Sequence, residues 1–157
     1  MEKFITTSKN QTQKLGEELA KELRGGEIIC LSGELGAGKT TFTQGLLKGL
    51  KAKGPYTSPT FVVIKKYEHI YHIDAYRIKD TDLLELGWEE MLAGKKNITI
   101  IEWAERVRKI IPDDAIWINF KWLGENKREL KFSQLLPRYE YCAKNNNDLS
   151  QNIISKK

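Results

Sequence analysis

The run Ile28-Ile29-Cys30-Leu31-Ser32-Gly33-Glu34-Leu35-Gly36-Ala37-Gly38-Lys39-Thr40 joins a short apolar segment to an octapeptide of the form G-x-x-x-x-G-K-[ST]. Four apolar residues in succession suit a strand buried on both faces, as in the centre of a parallel sheet. Glycines let the following loop take up positive φ and bring its N–H groups close to an anion. In such a loop Gly33, Glu34, Leu35, Gly36, Ala37 and Gly38 turn backbone towards phosphate oxygens. Lys39 neutralises the β- and γ-phosphates, and Thr40 offers its hydroxyl to Mg²⁺. Phe42, Leu46, Leu47 and Leu50 then give the next segment one apolar face, so a helix opens there with its positive end towards the same anion. Strand, glycine loop and helix in this order predict an α/β fold built around a phosphate-binding loop.

On the N-terminal side, Ser8 and Gln11 have capping-box spacing, and Leu15, Leu19 and Leu23 recur every fourth residue. This predicts a helix that stops at Gly25-Gly26. On the other side, Gly54-Pro55 and Pro59 break regular structure and predict a loop over 54–60. The β-rich runs 61–67 and 70–76, separated by Glu68-His69, are expected to pair as a hairpin. Leu84, Trp88 and Met91 fall on one helical face, and 98–101 is a second short buried strand closed by Glu102. Ile116, Ile118, Phe120 and Trp122 alternate with Trp117, Asn119 and Lys121, which predicts a strand with two different faces. Gly124-Glu125-Asn126 turns it back into 128–133, with Leu130 and Phe132 on one side. The whole pattern predicts a P-loop NTPase sandwich: a mainly parallel central sheet with antiparallel additions and helices on both faces. One domain is expected over 1–138, and the polar, Asn-rich stretch 139–157 is expected to be a flexible tail.

Hydrophobic residues make up 40% of the 157 residues and charged residues 30%, the balance of a soluble globular domain. No apolar run approaches the roughly 20 residues that span a bilayer, and Met-Glu-Lys-Phe-Ile carries no h-region or cleavage site, so a signal peptide is not expected. Cys30 and Cys142 do not make a disulfide framework. A cytoplasmic address without membrane contact is the simplest expectation. The net charge of +5 comes from scattered lysines and arginines, which suit either a solvated surface or a face that meets RNA or an acidic partner.

A phosphate-binding loop also needs an acid at the end of a neighbouring strand to hold Mg²⁺. Asp74 and Glu102 both end β-like runs, and the four apolar residues before Glu102 favour it. Ser58 and Thr60, flanked by Pro55 and Pro59, belong to a loop that can reach the γ-phosphate. His72 reads equally as a ligand or as a hydrogen-bonded structural residue, and Arg77 as a phosphate partner or the partner of an acid. No late Asn-Lys-x-Asp element is present, which points to adenine rather than guanine. A small-molecule kinase is a rival reading, but its water-excluding lid commonly carries arginines, and 74–102 contains only Arg77. A third reading is an assembly module that ATP governs and in which hydrolysis is incidental.

Further elements follow in order: Thr41 after the loop, Thr57-Ser58-Pro59-Thr60-Phe61, His72-Ile73-Asp74-Ala75-Tyr76-Arg77, Leu86-Gly87-Trp88-Glu89-Glu90 and Ile101-Glu102-Trp103. With these, from about Phe4 to Phe132, the chain resembles the bacterial tRNA threonylcarbamoyladenosine biosynthesis family TsaE, small P-loop ATPases. It departs from the family pattern at Ala75, where Leu is frequent, and at Ala104, where Pro is frequent. The resemblance implies that Asp74, rather than Glu102, is the direct Mg²⁺ partner beside Thr40. Glu102 would then lie close to the metal and the γ-phosphate and place the attacking water, with Lys39 as the other catalytic residue. Thr41 would contact phosphate, Trp103 would lie near the nucleotide, and Ser58 and Thr60 would belong to a switch-like loop. The resemblance also implies TsaD and TsaB as protein partners, with any contact to tRNA indirect. ATP hydrolysis, slow in the isolated subunit, would reset the partner complex between turnovers.

Overall fold

The apolar run at 28–31 lies where its composition places it, at the middle of a seven-stranded sheet. The structure is a computed structural model that describes residues 2–59 and 61–134. Thr60 and the expected tail at 139–157 lie outside the described residues. In chain order the elements are β1 (Glu2–Thr6), α1 (Lys9–Ala20), β2 (Ile28–Gly33), α2 (Lys39–Gly49), β3 (Ile64–Tyr67) and β4 (Ile70–Asp74). They continue with α3 (Asp80–Glu85), α4 (Trp88–Ala93), β5 (Ile98–Glu102), a 3₁₀ segment (Ala104–Ile110), β6 (Ile116–Trp122) and β7 (Arg128–Phe132). The strand order is β1-β7-β6-β2-β5-β4-β3. The four central strands, β6, β2, β5 and β4, run parallel, while β3, β7 and β1 are antiparallel additions. The expected α/β sandwich is the fold that forms.

Alternation along β2 divides its side chains between two cores. Ile29 and Leu31 face α1 and α2, where Leu15, Leu19, Phe42 and Leu46 meet Phe120 and Phe132. The Phe42 and Phe120 rings meet edge to face at 5.5 Å, and Phe4 meets Phe132 at 5.1 Å. Ile28 and Cys30 face the other side, where Leu83, Trp88, Met91 and Val107 close over Ile73 and Ile101. Burial raises the pKa of the Cys30 thiol well above the ordinary range, against a smaller pull from Arg108, so Cys30 serves as a small apolar filler.

Helices α1 and α2 touch backbone to backbone. A Cβ at Gly45 would fall well inside van der Waals contact with the Gln13 carbonyl, and one at Gly16 inside contact with that of Phe42. At Gly49 an added Cβ would lie 2.6 Å from that of Ala20. This close approach fixes α2, the helix that follows the glycine loop.

Four local expectations are corrected. Helix α1 ends at Ala20 rather than at Gly25-Gly26, because the Glu27 carboxylate takes the N–H groups of Arg24 and Gly25, each at 2.8 Å, and turns the chain earlier. The β3–β4 hairpin exists, but its strands cover only 64–67 and 70–74, with Phe61 89% exposed in a turn before them. Leu83, not Leu84, joins Trp88 and Met91 in the core, because Gly87 at φ 92° splits the helical stretch in two. Trp122 is 52% exposed at the tip of its hairpin, beyond the buried alternation of Ile116, Ile118 and Phe120. Edge strand β1 was not anticipated at all.

Candidate functional site

Parallel pairing brings the carboxyl ends of β2, β5 and β4 to one edge of the sheet. Leu31 lies opposite Glu102, and Glu102 lies opposite Asp74. The glycine loop leaves β2 at that edge. Gly33 has φ 130°, and a Cβ there would collide with the Phe120 carbonyl of β6, so the first loop position tolerates only glycine. Gly36 and Gly38 also have positive φ, at 75° and 105°. Gly38 caps α2 with no side-chain hydrogen bond, which leaves N–H groups of the first turn directed at the space above the loop.

Lys39 is 5% exposed. Its ammonium donates to the Gly33 carbonyl at 2.5 Å and the Glu34 carbonyl at 2.8 Å, and lies 3.7 Å from the centroid of the Trp103 ring. Burial holds its pKa below the ordinary lysine value, while Glu105, Glu102, Asp74 and Glu34 pull it back up. Trp103 has a left-handed backbone, φ 58°, unusual for an aromatic residue and a conformation that clusters at functional sites. Its ring packs 4.8 Å from that of Tyr76, over which the Arg106 guanidinium stacks at 4.8 Å.

The Thr40 hydroxyl donates to Glu102 Oε2 at 2.8 Å, and Glu102 Oε1 lies 2.8 Å from His72 Nε2. Asp74 Oδ1 accepts the Tyr76 N–H at 2.9 Å, and Oδ2 accepts the Ser58 hydroxyl at 3.3 Å. Thr40, Ser58, Asp74, Tyr76 and Glu102 line one cleft of about 320 Å³. Leu35, Gly36, Ala37, Gly38, Lys39, Thr40, Thr41, Ser58, Asp74, Glu102 and Trp103, all singled out from the sequence, line it. Gly33 and Glu34 meet the site through the two carbonyls that accept from Lys39. Thr60 is the one sequence candidate that lies outside the described residues.

His72 takes the hydrogen-bonded of its two readings. Arg77 lines the cleft, with its guanidinium 5.7 Å from the Phe61 ring centroid. Two residues were missed: Tyr76, which lines the cleft, and Arg106, which stacks on it. For Tyr76 a signal existed, an aromatic residue just past the acid that ends a strand. For Arg106 there was none, because its position depends on the 3₁₀ turn after Trp103.

A glycine loop between a central parallel strand and a helix opened by lysine and threonine, beside an acid on the adjacent strand, defines a P-loop protein with the NTPase fold. The family model of the threonylcarbamoyl adenosine biosynthesis protein TsaE matches residues 6–130. The chain belongs to the TsaE family. It is 34% identical over 142 residues to the tRNA threonylcarbamoyladenosine biosynthesis protein TsaE of Bacillus subtilis, covering 88% of this chain and 89% of that protein. The protein of the same name from Aquifex aeolicus is 42% identical over 137 residues, covering 83% of this chain and 95% of its own. Among solved structures, that of Bacillus subtilis YdiB superposes with a TM-score of 0.74 at 31% identity, covering 90% of each chain. Among the described residues no helix is long and apolar enough to cross a membrane.

Proposed function

We propose that this chain binds ATP with Mg²⁺ and hydrolyses it in support of threonylcarbamoylation of the adenosine beside the anticodon of tRNAs. It acts in the cytoplasm with TsaB and TsaD and resets that pair between turnovers. One observation carries the reading: in a chain of the TsaE family, Lys39, Thr40, Asp74 and Glu102 meet at a single cleft over a glycine loop.

Among the described residues no group of three or more His, Cys, Asp or Glu side chains suits a metal on its own. The donors here are a hydroxyl and two carboxylates, an all-oxygen set that fits Mg²⁺ once phosphate and water complete its shell. Thr40 and Asp74 would hold the ion, with Glu102 adjacent. When bound, Mg²⁺ neutralises charge on the β- and γ-oxygens. The loop N–H groups and those of the first turn of α2 cradle the phosphates. Lys39 exchanges its two carbonyl partners for phosphate oxygens. Trp103 and Tyr76 flank the nucleotide, and Glu102 orients the attacking water. Both Glu102 oxygens are already engaged, by Thr40 and His72, so the isolated subunit is expected to turn over slowly until Thr40 lets go.

The test is ATP hydrolysis by the purified chain, alone and with TsaB and TsaD. Stimulation by the pair, abolished in Asp74→Ala, is the expected result. No stimulation and no complex would refute the partner assignment. A substrate-dependent phosphorylated product would establish a kinase instead. Glu102→Gln is expected to lower turnover roughly 10²–10³-fold while retaining ATP binding, the range seen when one transition-state contact is removed. If tRNA modification proceeds undiminished with that variant, hydrolysis is incidental and the chain is an assembly module.

A further inference from the structure

On the face of the sheet that lies under α2, β4 presents Ile70, His72 and Asp74 at alternate positions, and β5 presents Ile98, Ile100 and Glu102. The register sets His72 opposite Ile100 and Asp74 opposite Glu102, so His72 reaches Glu102 along the diagonal. His72 is 1% exposed, Glu102 is 2% exposed, and Ile70, Ile98 and Ile100 in these rows are apolar core residues. An imidazole is unfavourable in such surroundings unless a partner compensates it. Its Nε2 lies 2.8 Å from Glu102 Oε1, and its Nδ1 has no hydrogen-bond partner among the described residues. The compensation therefore comes from Glu102. With a carboxylate as acceptor, Nε2–H is the donor.

The two contacts on Glu102 differ in kind. Thr40 holds Oε2 through a hydroxyl that can rotate, at the junction of loop and helix. His72 holds Oε1 from inside a central strand, where it is buried. We propose that His72 is a positioning residue that keeps Glu102 Oε1 anchored, so that Oε2 retains its aim when the Thr40 hydroxyl turns towards a metal. This rests on the reading of the cleft as an ATPase site. Without the anchor, a three-torsion glutamate side chain is free to leave its productive rotamer and exchange its two oxygens.

His72→Leu removes the donor, and His72→Gln returns an N–H near the position of Nε2. The measurement is steady-state hydrolysis by the complex with TsaB and TsaD, together with direct binding of Mg-ATP. His72→Leu is expected to lower kcat about 10–100-fold while the Kd for Mg-ATP stays within about threefold, and His72→Gln is expected to recover most of the loss. In a Glu102→Gln background, His72→Leu is expected to lower the residual rate by less than about twofold, because the two residues act as one unit. Urea unfolding of the parent, both single variants and the double variant gives a readout besides activity. Their unfolding constants are expected to depart from multiplicativity by roughly fivefold or more, as for residues in contact.

If His72→Leu hydrolyses like the parent, or loses the same factor in the Glu102→Gln background, the proposal is overturned and the ATPase reading survives. A parent complex that neither binds nor hydrolyses ATP overturns both. Should the leucine variant fail to fold, the comparison of His72→Gln with His72→Asn decides. Gln reaches the Nε2 position and Asn the Nδ1 position, so equal activities in the two would overturn the proposal.

Discussion

Lys39→Ala will weaken binding of Mg-ATP by about 10²-fold or more, while the thermal midpoint stays close to that of the parent. The binding term follows from charge-assisted hydrogen bonds, each of which contributes roughly 1.5–3 kcal/mol, with a tenfold change for every 1.4 kcal/mol. Lys39 sits at the centre of the cleft with its ammonium over the Trp103 ring, so the loss falls on the phosphates alone. The folding term nearly cancels. Alanine gives up two hydrogen bonds to the Gly33 and Glu34 carbonyls, but it also removes an ammonium whose burial depresses its pKa. A depressed lysine pKa means that, between the folded and unfolded values, the unfolded chain holds more protons, so parent stability rises with pH through that window. The charged side chain therefore costs stability below the folded value, and alanine relieves that cost. The relief should vanish as the pH approaches the ordinary lysine value of 10.5. Calorimetric titration with Mg-ATP and melts at neutral and alkaline pH check both halves. A variant that binds as tightly as the parent would place the nucleotide elsewhere.

Gly45→Ala will lower stability by about 3 kcal/mol or more, the upper end of what overpacking costs. The atom that opposes the new methyl group is the backbone carbonyl of Gln13, which cannot swing aside as the end of a side chain can. The helices must separate, and that separation disturbs Leu15, Leu19, Phe42 and Leu46 together, since all four share one core. At roughly 2–4 °C per kcal/mol for a domain of this size, the midpoint should fall by about 6–12 °C. Gly16→Ala strains the same contact from the facing helix, so the two changes together should cost less than their sum. A shift under about 2 °C for Gly45→Ala would show that α1 and α2 separate easily. In that case they would not fix the glycine loop.

The parts of the fold that could be read in advance were those whose chemistry acts over a few residues. A glycine loop between an apolar run and a helix leaves little choice of local geometry, and the closing hairpin announced itself through alternation and a Gly-Glu-Asn turn. The lining from Leu35 to Thr41 followed from the glycine loop, while Ser58, Asp74 and Glu102 were read from a Pro-flanked loop and two strand ends. What stayed hidden depends on register. The Thr40–Glu102 and His72–Glu102 bonds link residues 62 and 30 positions apart, and they exist because parallel pairing sets Glu102 opposite Asp74. Seen as separate strand ends, both acids qualified, and the apolar run before it favoured Glu102. In the structure Glu102 meets Thr40, while Asp74 holds Ser58 and the Tyr76 N–H. Leu83 replaced Leu84 in the core because a single glycine at φ 92° resets the helical phase. Strand β1 is five residues long and owes its existence to β7, so no local pattern marked it.

That pairing of β1 with β7 has a consequence for how the protein is made. Lys3 and Glu129, bonded at 3.3 Å, stand 126 positions apart, and β7 itself must pair with β6 before it can offer β1 a place. At synthesis rates of about 5–20 residues per second, Phe4 and Ile5 wait roughly 6–25 s after leaving the ribosome for their partner β7. For that interval they form an apolar segment that chaperones can bind, and the sheet closes only after β7 has emerged.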